Sequence, residues 1–263
     1  MFDVGPGIQA KMDELGDIPT KNSIFYHSID GKSVSEWGFG LFNDYRAVQS
    51  EPGTQWIVYA YGLNYLGNPE PPSQQIVSVI DVSSHQSTDL TSYINQFNPD
   101  HIIIKFYQDI EFAGSQDVTR QQVASAQAHN VSVGGYGWLY RSQGHNINSC
   151  LDLAAELNIR LPILWIDVEP YNGVYPKLQD IEDAVEVCVN RSQPCGIYTG
   201  KWVWDALGNP YYWSYLPLWH SHYGIEPSLT LSNPYGGWTT CVGHQYTSTP
   251  IDQNIFDVQY TKV

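Results

Sequence analysis

Leu161-Pro162-Ile163-Leu164-Trp165-Ile166-Asp167-Val168-Glu169-Pro170 is an apolar run that ends in two carboxylates and a proline. Its length and apolar content suit a strand buried on both faces, as in a parallel sheet, and Pro170 stops the ladder because it has no N–H to donate. Residues two apart in a strand share a face, so Asp167 and Glu169 lie on one side, about 6.6 Å apart at Cα. Two acids that close and partly out of water repel each other, which raises the pKa of at least one. A raised carboxyl can protonate a leaving oxygen near neutral pH. The alternative is a plain strand end leading into an acidic loop or a metal site, and this pattern by itself leaves both readings open.

Working outward, the same construction recurs at two more strand ends. Val77-Ser78-Val79-Ile80-Asp81-Val82-Ser83-Ser84-His85-Gln86 is an apolar strand with an acid at its end and a polar loop after it. Near the C-terminus, His244-Gln245-Tyr246-Thr247-Ser248 leads to Ile251-Asp252-Gln253-Asn254-Ile255-Phe256. Active sites of α/β barrels collect at the C-terminal ends of the strands. Asp81, Asp167, Glu169 and Asp252 therefore converge on one rim, an arrangement that costs stability and calls for a functional reason.

The intervening chain alternates short Val-, Ile- and Tyr-rich runs with helix-like stretches, the pattern of βα units. The strands are predicted at Val77–Ser83, His101–Tyr107, Val133–Tyr140, Pro162–Glu169, Gly196–Thr199, Leu216–Tyr223 and Cys241–Thr247. Helices are predicted at Val118–His129, Ile147–Ile159, Leu178–Arg191 and Lys201–Leu207, with Ile181, Val185 and Val189 on one face of the third. The fold class is α/β, and residues 77–263 suit a closed or nearly closed barrel better than a short sandwich. A punctuated stretch, Gly67-Asn68-Pro69-Glu70-Pro71-Pro72-Ser73, makes 67–76 a linker. Residues 1–66, with Trp37, Phe39, Phe42 and a strand at Gln55–Ala60, form a small extra segment without a recognisable chemical motif.

With 42% hydrophobic and 15% charged residues, the 263-residue chain can bury a proper core. Its 27 acidic against 12 basic residues give a net charge of -15, which argues against nucleic acid or an anionic membrane as partner. The 9 Trp and 19 Tyr permit sugar stacking, although an aromatic core would use them equally well. No apolar run is long enough for a membrane span, and Met1–Gly7 lacks the basic and apolar regions of a signal peptide. Cys150, Cys188, Cys195 and Cys241 lack zinc-site spacing and are either free thiols or disulfides. His220 and His222 share a strand face, either as polar lining or as a metal pair. No metal site or cofactor is expected.

From Val77 onward the chain resembles the family 25 glycoside hydrolases, the Chalaropsis-type lysozymes of bacteria, phages and some fungi. The resemblance rests on Asp81-Val82-Ser83 with Gln86, Ile102-Ile103-Ile104-Lys105, Gly134-Gly135-Tyr136 and Asp167-Val168-Glu169. It continues through Gly196-Ile197-Tyr198-Thr199, Leu218-Trp219 with Tyr223-Gly224, Gln245-Tyr246-Thr247-Ser248 and Asp252-Gln253-Asn254-Ile255-Phe256. These motifs in this order are a specific signal where any one alone is weak.

The resemblance implies an irregular TIM-like (β/α) barrel over residues 77–263 that hydrolyses the β-1,4 bond between N-acetylmuramic acid and N-acetylglucosamine in bacterial peptidoglycan. Glu169 would be the general acid, and Asp167 would hold or polarise the N-acetyl group or steady the developing positive charge. Asp81 and Asp252 would set the charge state of the pair. Tyr136, Tyr198, Trp219 and Tyr246 would shape the sugar subsites, with Lys105 as a further substrate contact. The chain departs from the family pattern at Phe106-Tyr107-Gln108-Asp109, at Tyr136-Gly137-Trp138 and at His220-Ser221-His222. Two other readings are a hydrolase of another N-acetylated glycan such as chitin, and a non-catalytic sugar-binding or virion-structural barrel. The expected location is the cell wall or extracellular space, or a phage virion or endolysin. Residues 1–66 would dock to a virion or wall component, or brace the barrel.

Overall fold

The computed structural model describes residues 75–106, 115–139 and 147–262, together with two strands nearer the N-terminus. By internal contacts the chain divides into two units, Met1–Ser73 and Gln74–Val263. In the first, β1 (Ser23–Ser28) pairs antiparallel with β2 (Trp56–Tyr61), Ser23 opposite Tyr61. The proline-rich stretch 67–73 and Trp37, Phe39 and Phe42 lie outside the described residues, as do Tyr107–Asp109 and Tyr140.

The second unit is a closed eight-stranded barrel. It contains β3 (Ile76–Val82), β4 (His101–Lys105), β5 (Ser132–Trp138), β6 (Leu164–Asp167), β7 (Cys195–Thr199), β8 (Leu218–Ser221), β11 (Gly243–Thr247) and β12 (Asp252–Asp257). Strands β3 to β8 run parallel in sequence order, and β11 lies parallel to β8. β12 closes the ring antiparallel to both β11 and β3. Five helices follow β3 to β7 in turn: α1 (Thr91–Phe97), α2 (Ser115–Ala128), α3 (Ile147–Glu156), α4 (Leu178–Asn190) and α5 (Lys201–Ala206). After β8 the chain makes instead a short antiparallel pair, β9 (Thr230–Tyr235) and β10 (Trp238–Thr240).

Every predicted strand and helix of the barrel is present, with ends shifted by a few residues. α1 was not anticipated, because it buries only Ile94 and has no periodic apolar stripe. β9 and β10 were hidden by Pro234, although Gly236-Gly237 at their turn, both with positive φ, is a known hairpin signal. On α4 the buried residues include Ile181, Ala184, Val185 and Cys188, whereas Val189 is 42% exposed. Four-residue steps overshoot the 3.6-residue turn, so the third member of the expected stripe has rotated off the face that Cys188 continues. All four cysteines are buried free thiols.

Alternation along each strand sorts inside from outside. Val77, Val79, Ile103, Trp165, Tyr198, Trp219 and Phe256 pack in the barrel interior. Trp165 contacts Trp219 and Phe256 at ring separations of 5.7 and 5.6 Å. Glycines make these large rings possible, since a Cβ at Gly196 would strike the Trp165 ring and one at Gly243 the Phe256 ring. The aromatic layer floors the barrel below the C-terminal ends of the parallel strands, where the acids lie.

Candidate active site

The same alternation that buries Val77 and Val79 carries Asp81 inward at the end of β3. On β6 it carries Trp165 and then Asp167 inward. Pairing continues one residue beyond β6, because the Val168 N–H donates to the Tyr198 carbonyl. Glu169 thus follows Asp167 on the inner side. Asp252 arrives from the opposite chain direction: β12 is antiparallel, so its first residue stands at the same rim, directly across from Asp81. The four acids line one open pocket of about 150 Å³, with Tyr136, Tyr198, Trp219, Tyr223 and Gln245 as its other walls.

A hydrogen-bond network orients Asp81. Its Oδ2 accepts from Gln245 Nε2 and from Asn254 Nδ2, both at 2.8 Å. Asn254 Oδ1 in turn accepts from the Trp219 indole N–H at 2.8 Å, and an indole only donates. Gln245 Oε1 accepts from the hydroxyls of Tyr198 at 2.8 Å and Tyr223 at 2.6 Å. Each amide therefore has one end fixed by a donor and the other aimed at Asp81.

The acids are held well above their ordinary pKa values. Burial raises Asp81 to about 6, against the opposing hydrogen bonds from Asn254 and Gln245. Glu169 reaches about 7, first through burial and then through the charge of Asp81, with a hydrogen bond from Tyr198 opposing. Asp252 reaches about 8 through burial, then the charges of Asp81 and Glu169. Such a cluster can present both a protonated and an ionised carboxyl near neutrality.

These shifts carry a stability consequence. Between about pH 4 and pH 8 the folded chain holds protons on these groups that the unfolded chain has released, so their contribution to stability falls as pH rises through that window. Asp252→Asn removes one of the mutually repelling charges. It is expected to stabilise the protein at pH 8 by about 1–2 kcal/mol and to have little effect at pH 4. Urea melts at the two pH values check this, and a variant less stable than wild type at pH 8 would contradict it.

Of the residues singled out from the sequence, Asp81, Tyr136, Asp167, Glu169, Tyr198, Trp219 and Asp252 meet at the pocket. Tyr246 does not line it: next to the inward Gln245, it takes the outward side, its ring edge-on to His244 and its hydroxyl 3.5 Å from Gln253 Oε1. Lys105 is buried and does not line the pocket, its Nζ lying 4.5 Å from the Trp138 ring centre. Gln245 and Tyr223, which the sequence offers only as members of motifs, also line the pocket. The inward parity of Gly243 and Gln245 was the available signal.

The departures at 136–138 and 220–222 lie within the described residues. Gly137 sits on the outward side of β5, between the inward Tyr136 and Trp138, and the Trp138 indole N–H donates to the Glu169 carbonyl at 3.3 Å. His220 is on the outer side of β8.

No protein-family model matches the chain. A probable family 25 glycoside hydrolase lysozyme (lysozyme 3) of Dictyostelium discoideum is 30% identical over 139 residues, 48% of this chain and 29% of that protein. Lysozyme-like protein 5 of Caenorhabditis elegans is 28% identical over 182 residues, 65% of this chain and 83% of that one. The chain spans only about a third of the length of several curated relatives that it matches. Among solved structures, a family 25 lysozyme from Aspergillus fumigatus superposes with a TM-score of 0.55 at 18% identity, over 69% of this chain and 94% of that one. That likeness is one of fold.

Proposed function

Taking as premise that the barrel belongs to glycoside hydrolase family 25, we propose that the chain is a lysozyme-type peptidoglycan hydrolase. In this reading it cleaves the β-1,4 bond between N-acetylmuramic acid and N-acetylglucosamine, with residues 77–263 as the catalytic unit. The observation that carries the reading is Glu169: a carboxyl raised to about 7, in a pocket walled by three further acids and by aromatic rings.

Glu169, protonated near neutral pH, donates its proton to the glycosidic oxygen as the bond to the anomeric carbon breaks. The departing sugar carries the proton away, and positive charge develops at the ring oxygen and anomeric carbon. Asp167, buried on the same wall, accepts a hydrogen bond from the substrate's acetamido N–H. That contact aligns the acetamido oxygen to attack the anomeric carbon, and its charge steadies the resulting cation, a recognised exception to the two-carboxylate scheme. Water then opens the cyclic intermediate, returning its proton to Glu169. Asp81, clamped by Gln245 and Asn254, keeps the proton affinity of Glu169 high, and Asp252 extends the same field.

The protein would work on wall glycan outside the cell or as a phage-encoded lysin, with residues 1–66 docking to wall or virion or bracing the barrel. Identification of the new reducing ends tests the bond assigned. Purified peptidoglycan is digested, reduced with borohydride and hydrolysed. Muramitol is the expected product, and glucosaminitol in its place would contradict the reading.

A further inference from the structure

The end of β8 separates two pockets. Trp219 and Tyr223 face the acid-lined one, whereas His220 and His222 face a second pocket of about 370 Å³ on the outer side of the strand. This outer pocket lies at the same rim, between α5 and β9, and plays no part in the chemistry above.

Three observations describe what it would hold. First, Trp202 forms a wall while 58% exposed, a costly position for an indole. Its ring lies against Gly200, beside the Ser221 carbonyl, and meets Tyr175 edge-on at 6.3 Å. It is thus an open, braced platform. Second, His220 is only 8% exposed and its Nδ1 is bonded to the Tyr235 hydroxyl at 2.9 Å. Burial, then the neighbouring His244 and His222 rings, lower its pKa to about 4, so it is neutral. Its Nε2 has no hydrogen bond among the described residues, which leaves one polar function for a ligand. Third, among the described lining residues the one ammonium group, Lys201 Nζ, is matched by Asp205 at 2.6 Å, and Ser232 and Asn233 add only neutral groups. An acidic peptide would find no spare cation here.

We infer that the outer pocket is a subsite for a neutral pyranose of the glycan strand, stacked on Trp202 and hydrogen-bonded by His220. This rests on the reading of the chain as a glycan hydrolase. The volume falls in the range of small-ligand pockets, and an indole face covers the apolar side of a sugar ring while imidazole and amide groups meet its hydroxyls. The two pockets share β8, with Trp219 in the wall of one and His220 in the wall of the other, so an extended glycan crossing the rim at this strand meets both.

The test is calorimetric titration of the Glu169→Gln protein with peptidoglycan glycan strands stripped of their stem peptides. Adding Trp202→Ala is expected to weaken binding about tenfold. Adding Tyr211→Ala, at an equally exposed ring outside both pockets, is expected to leave binding unchanged. Equal affinities for the two variants would overturn the inference, as would a loss seen only with strands that retain their peptides. If wild type hydrolyses the strands, either result overturns the subsite alone. If the protein neither binds nor hydrolyses them, the subsite and the hydrolase reading fall together.

Discussion

Glu169→Gln is expected to lower turnover of peptidoglycan by about 10^2 to 10^4-fold while KM changes little. Gln keeps the shape of Glu but has no carboxyl proton to give. Binding therefore survives and bond cleavage does not. The same argument fixes the pH dependence of the wild type. The acid works only while protonated, so activity falls as pH rises through about 7. That limb disappears from whatever residual rate the variant retains. Initial rates of reducing-sugar release across pH 5–9 check both features. A variant of near wild-type rate would mean that the proton comes from elsewhere in the cluster, from Asp252, whose carboxyl at about 8 keeps its proton to higher pH than Glu169 does.

The second large effect is expected at Asp167. Removing its carboxylate with Asp167→Ala should cost about 10^2 to 10^3-fold in turnover, the magnitude typical of losing a charge aimed at a developing one. Asp167 is buried at the end of β6, and its pairing neighbours there are Trp138 and Tyr198. Alanine at this strand end leaves a small gap and not a collapsed strand, so melting temperature serves as the control. Single-turnover rates on N-acetylated glycan strands measure the effect. Normal activity in a folded variant would sink the acetamido-assisted route and leave Glu169 acting with water alone.

Much of this site was legible because a strand is a two-residue repeat. Val77, Val79 and Asp81, or Trp165, Asp167 and Glu169, declare their common face without knowledge of any neighbour. What could not be read locally was the closure of the barrel. Asp252 was placed at the rim from its motif, but its position directly opposite Asp81 depends on β12 running antiparallel between β11 and β3. The clamp on Asp81 is non-local in the same way, joining residues 164 and 173 positions apart. Tyr246 shows the converse: the motif marks it, whereas parity gives the wall of the acid pocket to its neighbour Gln245. The outer pocket was unreadable for a third reason. Trp202, His220 and Asn233 come from α5, β8 and the unforeseen β9, and no local periodicity links them.

The central claim is that this barrel hydrolyses bacterial wall glycan with Glu169 as its acid. Reducing-sugar release from purified peptidoglycan, wild type beside Glu169→Gln at pH 6, tests it most directly. Steady release by the wild type and its loss in an equally folded variant is the predicted result. No release by either, with glycan binding intact in both, would contradict the claim and make the barrel a sugar-binding module.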